Sequence, residues 1–156
     1  MDKRFVQFFR KHHVFTMATC HEGKPWCSTM FYAFIEEEAV LVFTSDPASR
    51  HIIEAIKNQN VAGAIALETK VVWMIRGVQF NGIIIDSTVW EGKRKAHHAY
   101  FKRFPYTVLN PFPLWILELH NVKFTDNSLG FGKKLRWSRV RASTSELLPP
   151  HSTSPM

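Results

Sequence analysis

The stretch VFTSDPASRHIIEAIKNQN, residues 42–60, carries the most informative pattern in the sequence. It combines the end of an apolar strand, a hydroxyl-rich turn interrupted by Asp46-Pro47, and an amphipathic helical segment that begins near Arg50. The first N–H groups of a helix have no intrahelical acceptor, and the helix dipole favours negative charge at that end. The pattern therefore predicts a phosphate site formed by Thr44, Ser45, Ser49 and Arg50. The same residues also allow a plainer interpretation, in which Ser49 is only a helix cap and Arg50 a solvated side chain.

Length and composition predict one globular domain. The chain has 156 residues, of which 46% are hydrophobic, enough for a single sizeable core. We expect the domain to span residues 1–141. Residues 142–156, dominated by Ser, Thr, Pro and His, are predicted to form a flexible tail.

The net charge of +7 is compatible with an anionic cofactor, anionic lipid or nucleic acid. The excess is regional, concentrated near residues 93–95 and 133–141, so nucleic acid is not the favoured partner and the charge could serve solubility alone. No apolar run reaches the length of a membrane span and no secretory signal is recognisable, which predicts a soluble cytoplasmic protein with Cys20 and Cys27 as free thiols. No CxxC or HExxH spacing is present, so no metal site is predicted.

Short apolar segments with turn residues between them predict a mainly β fold. A helix over residues 3–13 is followed by three predicted antiparallel strands, at residues 14–20, 26–35 and 40–44. Further strands are expected at residues 61–67, 71–85 and 133–140, together with one strand region formed by residues 114–119 and 122–124, and another helix is expected over residues 92–102. Arg76-Gly77 and Asn81-Gly82 predict bulges or bends. Six or seven strands with three short helices favour a small closed or nearly closed β-barrel.

Five segments, in this order and spacing, resemble the pyridoxamine-phosphate-oxidase-like, FMN-binding split-barrel superfamily: GKPWCSTMFYAF, VLVFTSDPASRH, NVAGAIAL, RGVQFNG and TDNSLGFGKK. Within it, RGVQFNG and FTDNSLGFGKK resemble the small bacterial YhbP family. The resemblance extends over roughly residues 14–137. It implies an antiparallel, Greek-key-like split barrel that forms a homodimer, with FMN in the groove between subunits.

The resemblance also assigns candidate cofactor-binding residues. In this family a strand-end threonine and a Ser-Arg-Lys sequence hold the FMN phosphate; here His51 replaces the lysine, and imidazole is only partly protonated near neutral pH. An arginine of the oxidases corresponds to Ser28, and their flavin-contacting glutamine to Gly77, with Gln79 two residues on and on the same strand face. The full predicted set is Ser28, Thr29, Met30, Thr44, Ser45, Ser49, Arg50, His51, Gln79, Lys133 and Trp137.

The resemblance implies chemistry performed by the flavin, by hydride or electron transfer. The oxidases have an Arg-x-His pairing near the C-terminus, which residues 135–139 (LRWSR) lack, so vitamin B6 oxidation is disfavoured. A flavin-dependent oxidoreductase acting on an unknown small molecule is the favoured function, with no catalytic side chain assigned. Two alternatives stay open: a non-catalytic flavin carrier or sensor, and a haem-binding split barrel with an axial ligand among His51, His97, His98 and His120.

Overall fold

An eight-stranded antiparallel sheet, curled into a half-barrel with three short α-helices, forms the fold in the computed structural model. The structure describes residues 1–109, 112–127 and 134–140; the predicted site residue Lys133 and the predicted tail at 142–156 lie outside these ranges. The elements are α1 (Lys3–Lys11), β1 (Val14–His21), β2 (Lys24–Phe31), β3 (Ala33–Ile35), β4 (Val40–Thr44), α2 (Arg50–Lys57), β5 (Asn60–Ala66), β6 (Arg76–Asp86), α3 (Lys93–Arg103), β7 (Leu114–Asp126) and β8 (Lys134–Ser138).

The sheet is curled because its two outer strands are consecutive in the chain. The strand order is β2-β1-β5-β6-β7-β4-β3, so β2 and β3 lie at opposite edges although only Tyr32 separates them. Tyr32 is fully buried at this junction; its N–H donates to the His13 carbonyl, and its hydroxyl donates to the Phe9 carbonyl at 2.8 Å. The predicted mainly β, barrel-like fold is confirmed. The single strand predicted at 26–35 is wrong, because the chain changes pairing partner at Tyr32.

Strand β7 holds the two halves of the sheet together. It pairs with β6 along one edge and with β4 and then β8 along the other. Asn81 pairs with Asn121 and Gly82 with Leu119, which leaves His120 as the extra residue of a bulge. The predicted bend at Asn81-Gly82 is therefore confirmed, and the strand region predicted at 114–119 and 122–124 is one continuous strand that extends to Asp126.

The apolar segment at residues 71–75 does not belong to the sheet, contrary to the strand predicted over 71–85. It contains a short 3-10 turn, Val72–Met74, and all five of its side chains are exposed. The Leu67 N–H donates to the Arg76 carbonyl at 2.9 Å and closes the sheet before this segment. Strand β6 consequently begins at Arg76, where pairing with β5 resumes.

The apolar side chains form two buried clusters. The larger fills the inside of the curl and includes Phe5, Phe8 and Phe9, the buried face of α1. The smaller lies beneath α3 and includes Tyr100 and Phe104. Among the helices in the described ranges, none has the length and apolar character needed to cross a membrane. Cys20 and Cys27 are free thiols, as predicted.

Candidate functional site

The site begins where β4 ends and the chain turns into α2. Ser45 follows the last residue of β4 and is buried. Its N–H donates to the Pro113 carbonyl at 3.3 Å, and its own carbonyl accepts from Trp115 Nε1 at 3.2 Å. These two bonds to the start of β7 fix the position of the turn relative to the sheet.

Ser45, Ser49 and His51 form a hydroxyl–imidazole cluster at the N-terminus of α2. Ser45 Oγ lies 2.7 Å from His51 Nε2, Ser49 Oγ lies 3.2 Å from the same nitrogen, and the two hydroxyl oxygens are 3.2 Å apart. Ser49 occupies the N-cap position, but its hydroxyl makes no capping bond and donates instead to the Asp46 carbonyl at 2.7 Å. The first turn of α2 contains no acidic residue. Polar groups thus converge at the positive end of a helix dipole.

Burial lowers the pKa of His51 below its ordinary value, and the nearby Glu54 carboxylate only partly opposes this shift. The imidazole is therefore predominantly neutral at pH 7 in the protein alone. A bound dianion would favour the protonated ring and raise the pKa again. Binding of an anionic ligand would thus favour the protonated, cationic form of His51.

Arg50 lies in a second, adjacent group of side chains. Its Nε donates to Glu54 Oε1 at 2.7 Å, and its guanidinium carbon lies 4.2 Å from the centre of the Trp26 ring. Glu54 is buried and also accepts from Thr19 Oγ1 at 2.6 Å; this bond first, and the Arg50 bond second, lower the pKa of Glu54. Within the described residues the Arg50 Nη atoms have no hydrogen-bond partner, and half of the side chain is exposed.

Thr44 has a different neighbour from the other predicted phosphate residues. Its Oγ1 lies 2.9 Å from the hydroxyl of Tyr100, a buried residue of α3. Burial raises the pKa of Tyr100, so this hydroxyl is protonated at neutral pH. The contact joins α3 to the end of β4.

The three predicted residues of β2 point to opposite sides of the strand. Met30 is buried in the larger core cluster, and Ser28 Oγ contacts its sulfur at 3.6 Å. Thr29 is exposed, with its Oγ1 3.3 Å from Thr16 Oγ1 on β1. Thr29 is therefore the one of these three side chains on the outward face. Their assignment to a flavin stays a prediction.

Gln79 and Trp137 line the same pocket, of about 420 Å³, between β6 and β8. Gln79 is exposed on the outer face of the sheet, in register with Ala64 on one side and Lys123 on the other. Trp137 is half-buried and packs against the edge of the core. Both residues therefore border this pocket, distinct from the hydroxyl–imidazole cluster, but their side chains lie on opposite faces of the sheet, because Gln79 is in the row of Lys123 and Arg136 and Trp137 is in the adjacent row.

Three neighbours of the predicted phosphate residues were not identified from the sequence: Trp26, Thr19 and Tyr100. Glu54 was also missed, although its spacing of four residues from Arg50 is a readable signal for a helical ion pair. The other three reach the site through tertiary packing from β1, β2 and α3, and no sequence spacing indicates them.

The candidate haem ligands are dispersed. His120 Nε2 lies 2.9 Å from Glu118 Oε1 at the β7 bulge, and His51 Nε2 contacts two hydroxyls. His97 and His98 are exposed on α3, and the His97 ring packs on Phe101 with ring centres 4.3 Å apart. Among the described residues, no group of three or more His, Cys, Asp or Glu side chains is placed to hold a metal ion.

The chain is similar in sequence to proteins of one family. The family profile described as pyridoxamine 5'-phosphate oxidase matches residues 1–122. The UPF0306 protein YhbP of Salmonella arizonae is 41% identical over 135 residues, which cover 85% of this chain and 90% of that protein.

Two solved structures share the fold at low sequence identity. A heme-binding protein of Mycobacterium smegmatis superposes with a TM-score of 0.66 at 18% identity, covering 81% of this chain and 52% of that one. An FAD-binding protein of Mesorhizobium loti gives a TM-score of 0.63 at 16% identity, covering 78% of this chain and 91% of that one.

Proposed function

This chain belongs to the pyridoxamine 5'-phosphate oxidase family and, within it, to the YhbP (UPF0306) proteins, and on that premise we propose that it binds FMN. The observation that carries the proposal is the convergence of Ser45, Ser49 and His51 at the N-terminus of α2, beside a half-exposed Arg50. These groups suit a phosphate monoester: the Ser45 hydroxyl, an imidazole, unpaired helix N–H groups, a guanidinium, and the Ser49 hydroxyl once it turns from the Asp46 carbonyl to the ligand.

In this proposal the residues at the phosphate have different tasks. The hydroxyl–imidazole cluster and the first N–H groups of α2 receive the phosphate oxygens. Arg50 approaches with its Nη atoms, because its Nε is already engaged by Glu54 and its face by Trp26. Restraint of the side chain by these two neighbours lowers the entropy lost when the guanidinium binds a ligand.

The site has fewer fixed cations than the family pattern implies. Ser28 stands at an arginine position and makes only a weak contact to Met30, while His51 stands at a lysine position and is mainly neutral. Arg50 is then the principal fixed charge among the predicted phosphate residues. Phosphate binding consequently relies on neutral donors, and on His51 taking up a proton.

We propose that the isoalloxazine ring lies over the outer face of the sheet in a homodimer. One row across that face is Thr29, Thr16, Ala64, Gln79, Lys123 and Arg136, held in register by five strand pairings. The small Ala64 at its centre leaves room for a ring or a second subunit. Gln79 offers an amide that could meet the polar edge of the flavin. Light scattering on the purified protein tests the dimer.

With FMN bound, the flavin supplies hydride or electron transfer, and the proposed activity is that of an oxidoreductase on a small molecule. The side chains of this chain bind and orient the cofactor. Assays of NADH and NADPH oxidation, followed by a screen of electron acceptors, distinguish an enzyme from a carrier or sensor. Flavin bleaching without turnover would favour the carrier.

Absorption spectroscopy tests the proposed cofactor. Purified protein, or protein reconstituted with FMN, is expected to show an oxidised-flavin spectrum and to release FMN on denaturation. A colourless protein that does not bind added FMN would overturn the proposal.

Haem is the second candidate, supported by the fold shared with the heme-binding protein of Mycobacterium smegmatis. The hydrogen bonds already made by His51 and His120 leave His97 and His98 as the more accessible ligands within the described residues. A Soret band after reconstitution with haemin, lost on substitution of one of these histidines, would favour haem over FMN.

A further inference from the structure

A second pocket, of about 380 Å³, lies at the N-terminal end of α3 and contains none of the residues assigned to FMN. Its polar residues are Ser87, Lys93, Arg94 and His97, and its apolar wall includes Phe101 and Leu114. The pocket therefore combines a basic rim with an aromatic and aliphatic wall. A site of this composition suits a small ligand with one charged end.

The positive charges at this pocket lie at the end of α3 where the helix dipole disfavours them. Lys93 and Arg94 occupy the first turn of α3, where the helix dipole disfavours cations and where no acidic residue is present. Gly92 is the N-cap and provides no side-chain hydrogen bond to the first N–H groups. Across the described ranges, no Asp or Glu forms an ion pair with Lys93, Arg94 or His97. The Lys93 N–H already donates to the Trp90 carbonyl at 3.1 Å, so a bound anion would relieve the repulsion and accept from the N–H groups of Arg94 and Lys95.

Ser87 provides an independent indication of a ligand. Only 7% of this residue is exposed, and its N–H donates to the Leu114 carbonyl at 3.3 Å. Its hydroxyl, in contrast, has no hydrogen-bond partner among the described residues, and the residue lines the pocket. The oxygen is not fully enclosed, since Arg103 Nε is the buried side-chain atom without a partner among the described residues, and the Ser87 hydroxyl is therefore accessible although the rest of the residue is buried. The Ser87 hydroxyl is a donor that a ligand in the pocket could satisfy.

The wall opposite the basic rim is apolar, so it favours a ligand that carries an apolar group as well as a charged head group. The His97 ring packs on Phe101 with ring centres 4.3 Å apart, so the two rings form one continuous aromatic surface. Leu114, at the start of β7, is buried beside it. An inorganic ion would leave this surface uncovered, whereas an aromatic or aliphatic group would cover it.

We propose that this pocket binds a small organic anion, with a single phosphate or carboxylate head between Ser87, Arg94 and the first N–H groups of α3, and an apolar body against Phe101 and Leu114. Neither neighbouring acid lines this pocket: Asp86, next to Ser87, accepts from the Thr88 N–H at 2.8 Å and from its hydroxyl at 2.7 Å, and Glu91 lines a different depression with Trp90. The pocket shares no lining residue with the proposed FMN site, although its residues Pro113 and Leu114 adjoin Ser45 and Thr44, and the proposal does not rest on FMN binding.

Amide chemical shifts of the full-length chain test the proposal, with and without saturating FMN. The probes are phenyl phosphate, phenylacetate and inorganic phosphate. We expect at least one of the two aromatic anions to shift the amides of Ser87, Arg94 and Lys95, and to bind at least about tenfold tighter than inorganic phosphate because its ring is buried. The stronger of the two assigns the head group. Shifts confined to α2, or scattered over surface lysines, would overturn the proposal.

Three single variants complete the test. Arg94→Gln is expected to weaken the better aromatic anion by about tenfold, and Ser87→Ala by a smaller factor, through loss of hydrogen bonds to the charged head. Lys102→Gln removes the same charge from an exposed position of the same helix outside this pocket and should leave affinity unchanged. Equal weakening by Lys102→Gln and Arg94→Gln would indicate general charge attraction and refute a built site.

Discussion

The guanidinium carbon of Arg50 lies 4.2 Å from the centre of the Trp26 ring, while its Nε donates to Glu54 at 2.7 Å. Arg50→Ala should therefore remove a preoriented cation from the proposed phosphate site. We expect FMN affinity to fall by about 2 to 3 kcal/mol, the contribution of a charge-assisted contact. Quenching of FMN fluorescence on titration measures it. Lys57→Ala, at the other end of α2, is the matched control; if both variants bind FMN as the wild type does, the phosphate lies elsewhere.

Trp26 should contribute to the same affinity indirectly. Trp26→Leu removes the stacking surface but none of the proposed phosphate donors, so FMN affinity should fall by only about 0.5 to 1 kcal/mol, as for an exposed cation–π contact. Trp73→Leu, in the exposed segment at residues 71–75, provides the control for loss of a surface tryptophan. A loss as large as that of Arg50→Ala would mean that Trp26 contacts the cofactor itself.

His51 should make FMN binding depend on pH. Its pKa is lowered by burial in the protein alone and would be raised by a bound phosphate, so binding takes up a proton. The contribution of His51 is then largest at low pH and is lost as pH rises through the pKa of the complex. The FMN phosphate also titrates, near pH 6, so the informative quantity is the affinity difference between wild type and His51→Gln.

That difference should shrink between about pH 5.5 and pH 8, where histidine loses its proton. His51→Lys, which restores the residue of the family pattern, should bind FMN more tightly than wild type at pH 8. An affinity difference that stays constant with pH would exclude His51 as a phosphate partner.

Part of the proposed phosphate site could be predicted from the sequence, because the signals for that part are local. Ser45, Ser49 and His51 lie within seven residues of one another, and their meeting follows from one strand end, one turn and the first turn of one helix. Trp26 and Thr19 come from a hairpin far from α2 in the chain. Their approach depends on how the sheet curls, which strand periodicity does not specify.

The errors in the predicted strands have the same origin. Residues 71–75 are apolar and include three β-branched side chains, so composition favours a strand, but none of the described strands pairs with them. At Tyr32, where the chain leaves β2 and enters β3, no Gly or Pro in the sequence indicates that a strand ends.

Tyr32 should stabilise the junction of the two sheet edges. Tyr32→Phe keeps the buried ring but leaves the Phe9 carbonyl, near the end of α1, without the hydroxyl that it accepts from at 2.8 Å. We expect the free energy of unfolding to fall by about 1 to 3 kcal/mol, the cost of an unsatisfied buried acceptor. Urea denaturation measures this. Tyr106→Phe, at an exposed tyrosine, should change nothing; equal stabilities of all three proteins would contradict this role for Tyr32.

Gly82 should tolerate no side chain at the bulge. A Cβ at this position would overlap the Glu118 carbonyl oxygen on β7, and that backbone is fixed by pairing on both edges. Gly82→Ala is expected to lower the free energy of unfolding by about 3 kcal/mol or more, through overpacking against backbone. Gly23→Ala is the comparison, because a Cβ at Gly23 would meet no atom within 4 Å and only the φ of +73° would disfavour alanine. That variant should cost only about 1 to 2 kcal/mol; a milder effect at Gly82 than at Gly23 would refute the assignment.

The central position of β7 has a consequence for biosynthesis. Strand β4 can pair with its second neighbour, β7, only after residues 114–118 have been synthesised, and the same holds for the pairing of β6 with β7. During translation, the ribosome therefore releases several half-paired strands before the one that joins them. Such long-range pairing slows folding and leaves strand edges open to other chains. The nascent protein is most exposed to aggregation just before β7 emerges, and chaperone contact is most useful at that moment.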